Sequence, residues 1–139
     1  MKLASLEVGP NGALLARPSA LRIAVLDDEV QFHQLITDIF AELGIETTGF
    51  LYKDEFLSQL SSVLPDVIIS DIFAPRMDGL QFLRAIKVIP GFRDIPVIIM
   101  SGHMAAHAVE AKRLGAFACL AKPCDAKGII SAVRSALSL

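Results

Sequence analysis

Five short apolar runs alternate with amphipathic segments from Leu21 to the end of the chain. The runs are LRIAVL, IETTGFL, DVIIS, IPVIIM and AFACLA. They are rich in β-branched and aliphatic residues, and several show no polar alternation, which is typical of strands covered on both faces. A segment with helical spacing follows each run. Because parallel strands need long crossover connections, this alternation predicts an α/β fold in which helices wrap a parallel sheet.

The helical segments indicate which side chains form the core. The first, DEVQFHQLITDIFAELG, has Val30, Leu35, Ile39 and Leu43 among its apolar positions, and Gly44 suits the residue that ends a helix. The second, KDEFLSQLSSVL, is expected to form a single helix. The remaining three lie within DGLQFLRAIKVI, MAAHAVEAKRLG and DAKGIISAVRSALSL. We assign the Leu, Ile and Phe positions of all five helices to the core.

The first 19 residues do not follow this alternation. They contain the turn signal GPNG and the irregular stretch ARPSA. We expect residues 1–19 to be an N-terminal extension or leader, either irregular or a loose hairpin. Residues 20–139 then form one domain, since 139 residues support one full core and not two.

Composition narrows the classes of function. The net charge of −2 gives no indication of direct binding to nucleic acid, since proteins that bind it usually carry a clustered basic surface. No apolar run reaches the roughly 18 residues of a membrane-spanning helix, and the N-terminus lacks the apolar stretch of a signal peptide. Cys119 and Cys124 lack the C-x-x-C spacing of redox and zinc motifs, so we expect free thiols in a reducing, cytoplasmic setting.

Polar side chains stand where four of the predicted strands end. They are Asp27 and Asp28, Asp71, Ser101, and Lys122. In an open α/β sheet, ligands bind beyond the carboxyl ends of the strands, so we expect these groups to converge. Clustered carboxylates repel one another unless a cation lies among them, and oxygen ligands suit Mg²⁺. An Asp in such a site is able to attack phosphorus as a nucleophile.

Each of these residues also has a structural interpretation. Asp28 would cap the first helix, and Gln31 three residues later would complete a capping box. Asp71 would begin a turn, and Lys122 would be a solvated charge. The coincidence of these side chains at the ends of four strands favours the functional interpretation.

Four motifs together resemble the receiver domain of two-component response regulators, the CheY-like family. VLDDE resembles the acidic pair of the family, and IISDIFAPRMDGL resembles its phosphoacceptor motif. VIIMSG matches the position of the switch hydroxyl, and GAFACLAKP matches the Lys-Pro motif. The resemblance extends from Leu21 to Leu139. It implies a doubly wound, flavodoxin-like sheet of five parallel strands in the order 2-1-3-4-5.

The resemblance also implies a magnesium site. Asp28 and Asp71 would ligate Mg²⁺ directly, and the backbone carbonyl of Phe73 would be the third protein ligand. Asp27 would act mainly through metal-bound water.

By the same resemblance, Asp71 is the phosphorylated residue. Lys122 would pair with the phosphoryl group, Ser101 would donate a hydrogen bond to it, and the Lys122–Pro123 peptide bond would be cis. The implied partners are a sensor histidine kinase or histidine phosphotransfer protein, and a downstream protein target whose identity stays open. A homodimer also stays open.

The sequence departs from the family pattern at several positions. Ala74 stands where the family commonly has Met. Cys119 occupies a position that usually carries Tyr or Phe, so signal relay is expected to differ; Phe117 is a candidate to compensate. By the same resemblance, Phe73 and His103 would flank the water that attacks the phosphoryl group during dephosphorylation.

Two alternatives to a phosphorylated signalling domain are considered. A phosphatase with an Asp nucleophile would typically need a second Asp where Phe73 stands, which argues against an enzyme. A receiver-like module that binds proteins without phosphate is favoured by Cys119 but not by the retained acidic residues.

A transition-metal site is a further hypothesis. His103 and His107 are four residues apart on one helix, near Glu110. A fourth ligand is missing, so we interpret both histidines as solvated surface residues.

Overall fold

The computed structural model describes residues 6–8, 14–16, 21–73, 76–102 and 104–138 of the chain. The strands of the described part are β1 (Leu6–Val8), β2 (Leu14–Ala16), β3 (Arg22–Leu26), β4 (Glu46–Phe50), β5 (Val67–Asp71), β6 (Val97–Ser101) and β7 (Ala118–Ala121). The helices are α1 (Val30–Ala41), α2 (Lys53–Ser58), α3 (Leu60–Val63), α4 (Gly79–Lys87), α5 (Met104–Arg113) and α6 (Ala126–Ala136).

Five of the strands form one parallel sheet in the order β4-β3-β5-β6-β7. Counted along this sheet alone, the order is 2-1-3-4-5, so the predicted topology is confirmed. The register aligns the carboxyl ends of neighbouring strands: Leu26 pairs with Phe50, Asp71 with Met100. The loops that follow these strands therefore meet at one edge of the sheet.

Alternate residues of the strands supply two separate cores, one on each face of the sheet. Ala24 and Leu26 of β3 face the first core, whereas Ile23 and Val25 face the second. Helices α2, α3, α4 and α5 contribute buried residues to the first core, and α1 and α6 contribute to the second. Coverage of both faces explains why these strands are apolar without alternation, and the doubly wound arrangement is confirmed.

Two predictions about the helices were wrong. Leu35 is 43% exposed and Leu43 is 52% exposed, because the inward stripe of α1 is set by Ile36 and Phe40, four residues apart. The segment KDEFLSQLSSVL is not a single helix: it divides at Gln59 into α2 and α3. Gly44 lies two residues beyond the C-cap Glu42 and has a positive φ of 72°.

The N-terminal strands β1 and β2 pair antiparallel and form a sheet of their own. The separation of residues 1–19 from the domain stays a prediction, since most of these residues lie outside the described part. No helix within the described part is long and apolar enough to cross a membrane.

Candidate functional site

Four of the predicted site residues converge at the carboxyl edge of the sheet. Asp27 directly follows β3, Asp71 ends β5, Ser101 ends β6 and Lys122 directly follows β7. Asp27, Asp71 and Ser101 are buried, and Lys122 is partly exposed. Backbone hydrogen bonds fix the loops, since the N–H of Lys122 donates to the carbonyl of Ser101 at 2.9 Å. Burial of polar groups at four strand ends is costly unless they compensate one another.

The Lys122 ammonium provides part of that compensation. Its Nζ donates to Oδ2 of Asp27 at 2.7 Å and lies 3.5 Å from Glu29 Oε1 and 3.9 Å from Asp71 Oδ2. It also lies 4.5 Å from the centre of the Phe32 ring. Burial alone would lower the pKa of Lys122, but the hydrogen bond and charge of Asp27 outweigh burial and raise it. Lys122 is therefore held as a cation beside the carboxylates.

The environment of Asp71 disfavours its ionised form. Burial raises its pKa, and the charge of Asp27 adds to this effect, while Lys122 opposes it. Its Oδ1 accepts a hydrogen bond from the N–H of Phe73 at 3.2 Å, which orients the carboxylate. The strand thus ends in an acid whose ionised form needs a further positive charge nearby.

Three carboxylates are grouped closely enough to hold a metal ion. One oxygen each from Asp27, Asp28 and Asp71 lie within 4.8 Å of one another. Both oxygens of Asp27 are already engaged, Oδ2 by Lys122 and Oδ1 by the N–H of Glu29 at 2.8 Å. Exposed Asp28 does not cap α1, whose N-cap is Glu29 without a side-chain hydrogen bond, so the capping-box interpretation was wrong. This hard-oxygen donor set fits Mg²⁺.

The sequence matches one protein-family model, described as the response regulator receiver domain, over residues 23–134. The chain belongs to this family. The matched residues include all four strand ends of the site and most of both cores. The family assignment agrees with the resemblance that the four motifs indicated.

Curated relatives of the receiver domain include the DNA-binding transcriptional regulator NtrC of Salmonella typhimurium, 38% identical over 115 residues. That match covers 82% of this chain and 24% of the relative, so the chain spans about a quarter of that protein's length. Sporulation initiation phosphotransferase F of Bacillus subtilis is 32% identical over 119 residues, covering 85% of this chain and 94% of the relative.

Solved structures give the same fold. The signal receiver domain of a histidine kinase from Syntrophus aciditrophicus has a TM-score of 0.78 at 32% identity, covering 86% of this chain and 91% of that one. Chemotaxis protein CheY4 of Vibrio cholerae has a TM-score of 0.80 at 22% identity, covering 86% of this chain and 100% of that one. The second likeness concerns the fold alone.

In the receiver domain, the hydroxyl of Ser101 forms a hydrogen bond with a side chain of helix α5. A hydrogen bond of 3.2 Å joins Ser101 Oγ and His107 Nδ1, and the His107 ring packs edge-on against Phe73 at 5.1 Å between centroids. The interpretation of His107 as a solvated surface residue was therefore wrong. Sequence spacing gave the helical face of His107, but nothing local indicated that Ser101 lies within reach of it.

The transition-metal hypothesis gains nothing from the structure. Glu110 is engaged by Arg113, and the hydrogen bond from Arg113 lowers the pKa of Glu110. His103, like Ala74, lies outside the described residues.

Cys119 is partly buried against the first core, and burial raises the pKa of its thiol. This environment agrees with an inert thiol. Phe117, proposed from the sequence to compensate for Cys119, is 42% exposed and contributes to neither core.

The Lys122–Pro123 peptide bond is cis. The predicted roles of Phe73 as a ligand and of Asp71, Ser101 and Lys122 in phosphoryl chemistry stay predictions.

Gly79 allows helix α4 to begin against the strand that carries Asp71. Its N–H donates to the carbonyl of Ile72 at 2.7 Å, and Asp78 caps the helix in a capping box with Gln81. A Cβ at residue 79 would lie 2.8 Å from the Asp71 carbonyl oxygen and 2.9 Å from Ile72 Cα. Both neighbours are backbone atoms, so the loop after Asp71 would have to move.

We expect Gly79→Ala to lower the free energy of unfolding by about 1–3 kcal/mol in urea titrations, because overpacking outweighs the gain in helix propensity. Gly102→Ala is the matched control, since a Cβ there meets no heavy atom within 4 Å. Equal effects of the two substitutions would contradict the role assigned to close packing at Gly79.

Proposed function

We propose that this receiver domain accepts a phosphoryl group on Asp71 in a Mg²⁺-dependent reaction. The donor is the phosphohistidine of a sensor histidine kinase or of a histidine phosphotransfer protein. One arrangement carries the proposal: the buried Asp71 carboxylate has Asp27 and Asp28 oxygens within 4.8 Å and the Lys122 ammonium at 3.9 Å. A nucleophile, a set of metal ligands and a fixed cation therefore occupy one edge of the sheet.

The chain's own groups account for each requirement of the transfer. An oxygen of Asp71 attacks phosphorus, the bond from phosphorus to the donor nitrogen breaks, and its electron pair stays on the donor imidazole. Lys122, anchored by Asp27, stabilises the charge on the equatorial oxygens of the transferred group. Asp28, Asp71 and the Phe73 carbonyl would hold Mg²⁺ directly, and Asp27 would act mainly through metal-bound water; the ion when bound supplies further neutralisation of that charge.

Signalling then proceeds by protein–protein interaction. Ser101 is expected to turn its hydroxyl toward the phosphoryl group, which would break its hydrogen bond to His107 on α5. This rearrangement connects Asp71 to the surface of α5 without an aromatic residue at Cys119. The domain is thus proposed to be a phosphoacceptor that promotes its own phosphorylation and dephosphorylation, with partners that recognise its two states.

Incubation with acetyl phosphate and Mg²⁺ is expected to add one phosphoryl group, measured as intact protein mass. A matched sample with excess chelator should show no adduct, because the three carboxylates then have Lys122 beside them but no Mg²⁺. Absence of an adduct in a folded sample that binds Mg²⁺ would contradict the proposal and favour a module that works without phosphate.

A further inference from the structure

Lys53 is a buried lysine with no assigned part in the proposed phosphorylation chemistry. It is the first residue of α2 and is 1% exposed. Among the described residues, its Nζ has no hydrogen-bond partner. An unpartnered buried amine costs free energy, so its retention calls for a compensating interaction.

The start of α2, where Lys53 lies, is close to the loop that carries two acids of the site. Pairing of Leu26 with Phe50 places the end of β4, and with it the start of α2, beside the loop that begins at Asp27. The N–H of Asp27 donates to the carbonyl of Phe50 at 3.1 Å, which fixes this neighbourhood.

The electrostatic environment of Lys53 agrees with that placement. Burial lowers its pKa, while the charges of Asp71, Asp27, Asp28 and Asp78, in descending order, act to raise it. Asp71, the proposed acceptor, is therefore the first of the acids whose charge acts on the pKa of Lys53.

Arg76 holds the first turn of α2 against the loop that follows Asp71. Its guanidinium lies 3.9 Å from the centre of the Tyr52 ring and forms ion pairs with Asp54 at 3.0 Å and Glu55 at 3.2 Å. The two acids that follow Lys53 are thus engaged at the surface. Lys53, their neighbour in the chain, is buried instead.

The formal charges indicate what a second lysine would do. Asp27, Asp28 and Asp71 carry three negative charges, and Lys122 and Lys53 carry two positive ones, which leaves one negative charge. A divalent cation would turn this into one positive charge. A phosphoryl group on Asp71, with about two negative charges in place of one, would then bring the sum to about zero.

We propose that Lys53 is a built-in counter-cation of the phosphorylation site, which weakens Mg²⁺ binding to the unmodified domain and stabilises the phosphoryl group on Asp71. This inference rests on the proposed function. The charge of Lys53 acts electrostatically on the bound Mg²⁺ and on the phosphoryl group, and Lys53 forms no covalent bond.

The test is Mg²⁺ titration by calorimetry of the wild-type domain and of Lys53→Met, whose side chain has a similar length and no charge. We expect Lys53→Met to bind Mg²⁺ about tenfold more tightly, since one unit charge no longer opposes the divalent ion. At saturating Mg²⁺, the same variant should be phosphorylated several-fold more slowly by acetyl phosphate. Opposite signs for the two effects are not expected from a merely structural role.

Lys127→Met, at an exposed position in α6, is the matched control for loss of one positive charge and should change neither property. Thermal unfolding in chelator should show Lys53→Met to be at least as stable as the wild type, because the substitution removes a buried charge and breaks no hydrogen bond. An unchanged Mg²⁺ affinity, or a variant that fails to fold, would overturn the proposal. A wild-type domain that binds no Mg²⁺ would overturn the proposed function as well, so the two failures are distinguishable.

Discussion

Asp71→Asn is expected to abolish the phosphoryl adduct formed with acetyl phosphate and Mg²⁺, as measured by intact mass. The asparagine amide has nearly the same shape but lacks the carboxylate nucleophile. Loss of one of three clustered carboxylates should also weaken Mg²⁺ binding. Because burial raises the pKa of Asp71, its ionised form costs stability at neutral pH, so the variant should unfold at a higher temperature in chelator.

Asp125→Asn is the matched control for this substitution. Asp125 caps α6 by accepting from the N–H of Gly128, and asparagine caps helices about equally well. This variant should be phosphorylated like the wild type. A persistent adduct on Asp71→Asn would move the acceptor to another residue and remove the chemical basis of the proposed function.

The sequence was sufficient to predict the architecture because its signals are periodic and repeated. Apolar runs without alternation mark strands covered on both faces, and β5, with all five residues buried, shows this most clearly. Once the strands are parallel, the residues that end them must share one edge. For this reason the convergence of Asp27, Asp71, Ser101 and Lys122 followed from their positions in the chain.

Contacts between side chains of different elements were not predictable in the same way. His107 reaches Ser101 only because α5 packs back over the end of β6. Leu35 was assigned to the core because its type is apolar, but the inward stripe of α1 runs through Ile36 and Phe40 instead. Residue type alone does not decide which of two adjacent helical positions faces the sheet.

Lys53 shows how a site residue escapes detection by residue type. A lysine at the start of a helix normally indicates a solvated charge. Its spacing gives a different indication, since Lys53 and Phe56 are three residues apart within α2 and both are buried. Helical periodicity therefore placed this lysine on the inward face, although the position was not identified from the sequence.

Lys122→Met is expected to lower the rate of phosphorylation by about 10²–10³-fold, the typical effect of removing one preorganised group that stabilises a developing charge. The variant should also lose stability. Asp27 is 1% exposed, and the substitution leaves its Oδ2 without the ammonium that now donates at 2.7 Å. We expect the free energy of unfolding to fall by about 1–3 kcal/mol in urea titrations with chelator.

Comparison with Lys53→Met separates the two lysines of the site. Both substitutions remove one positive charge, but Lys122 loses a hydrogen bond to a buried carboxylate and Lys53 loses none. Lys122→Met should therefore be less stable than the wild type in chelator, and Lys53→Met should not. Lys127→Met again serves as the control for charge. If Lys122→Met were phosphorylated within a few-fold of the wild-type rate, the cation that stabilises the transferred group would not be Lys122. Lys53 would then be the remaining lysine of the described part of the chain whose charge acts on Asp71.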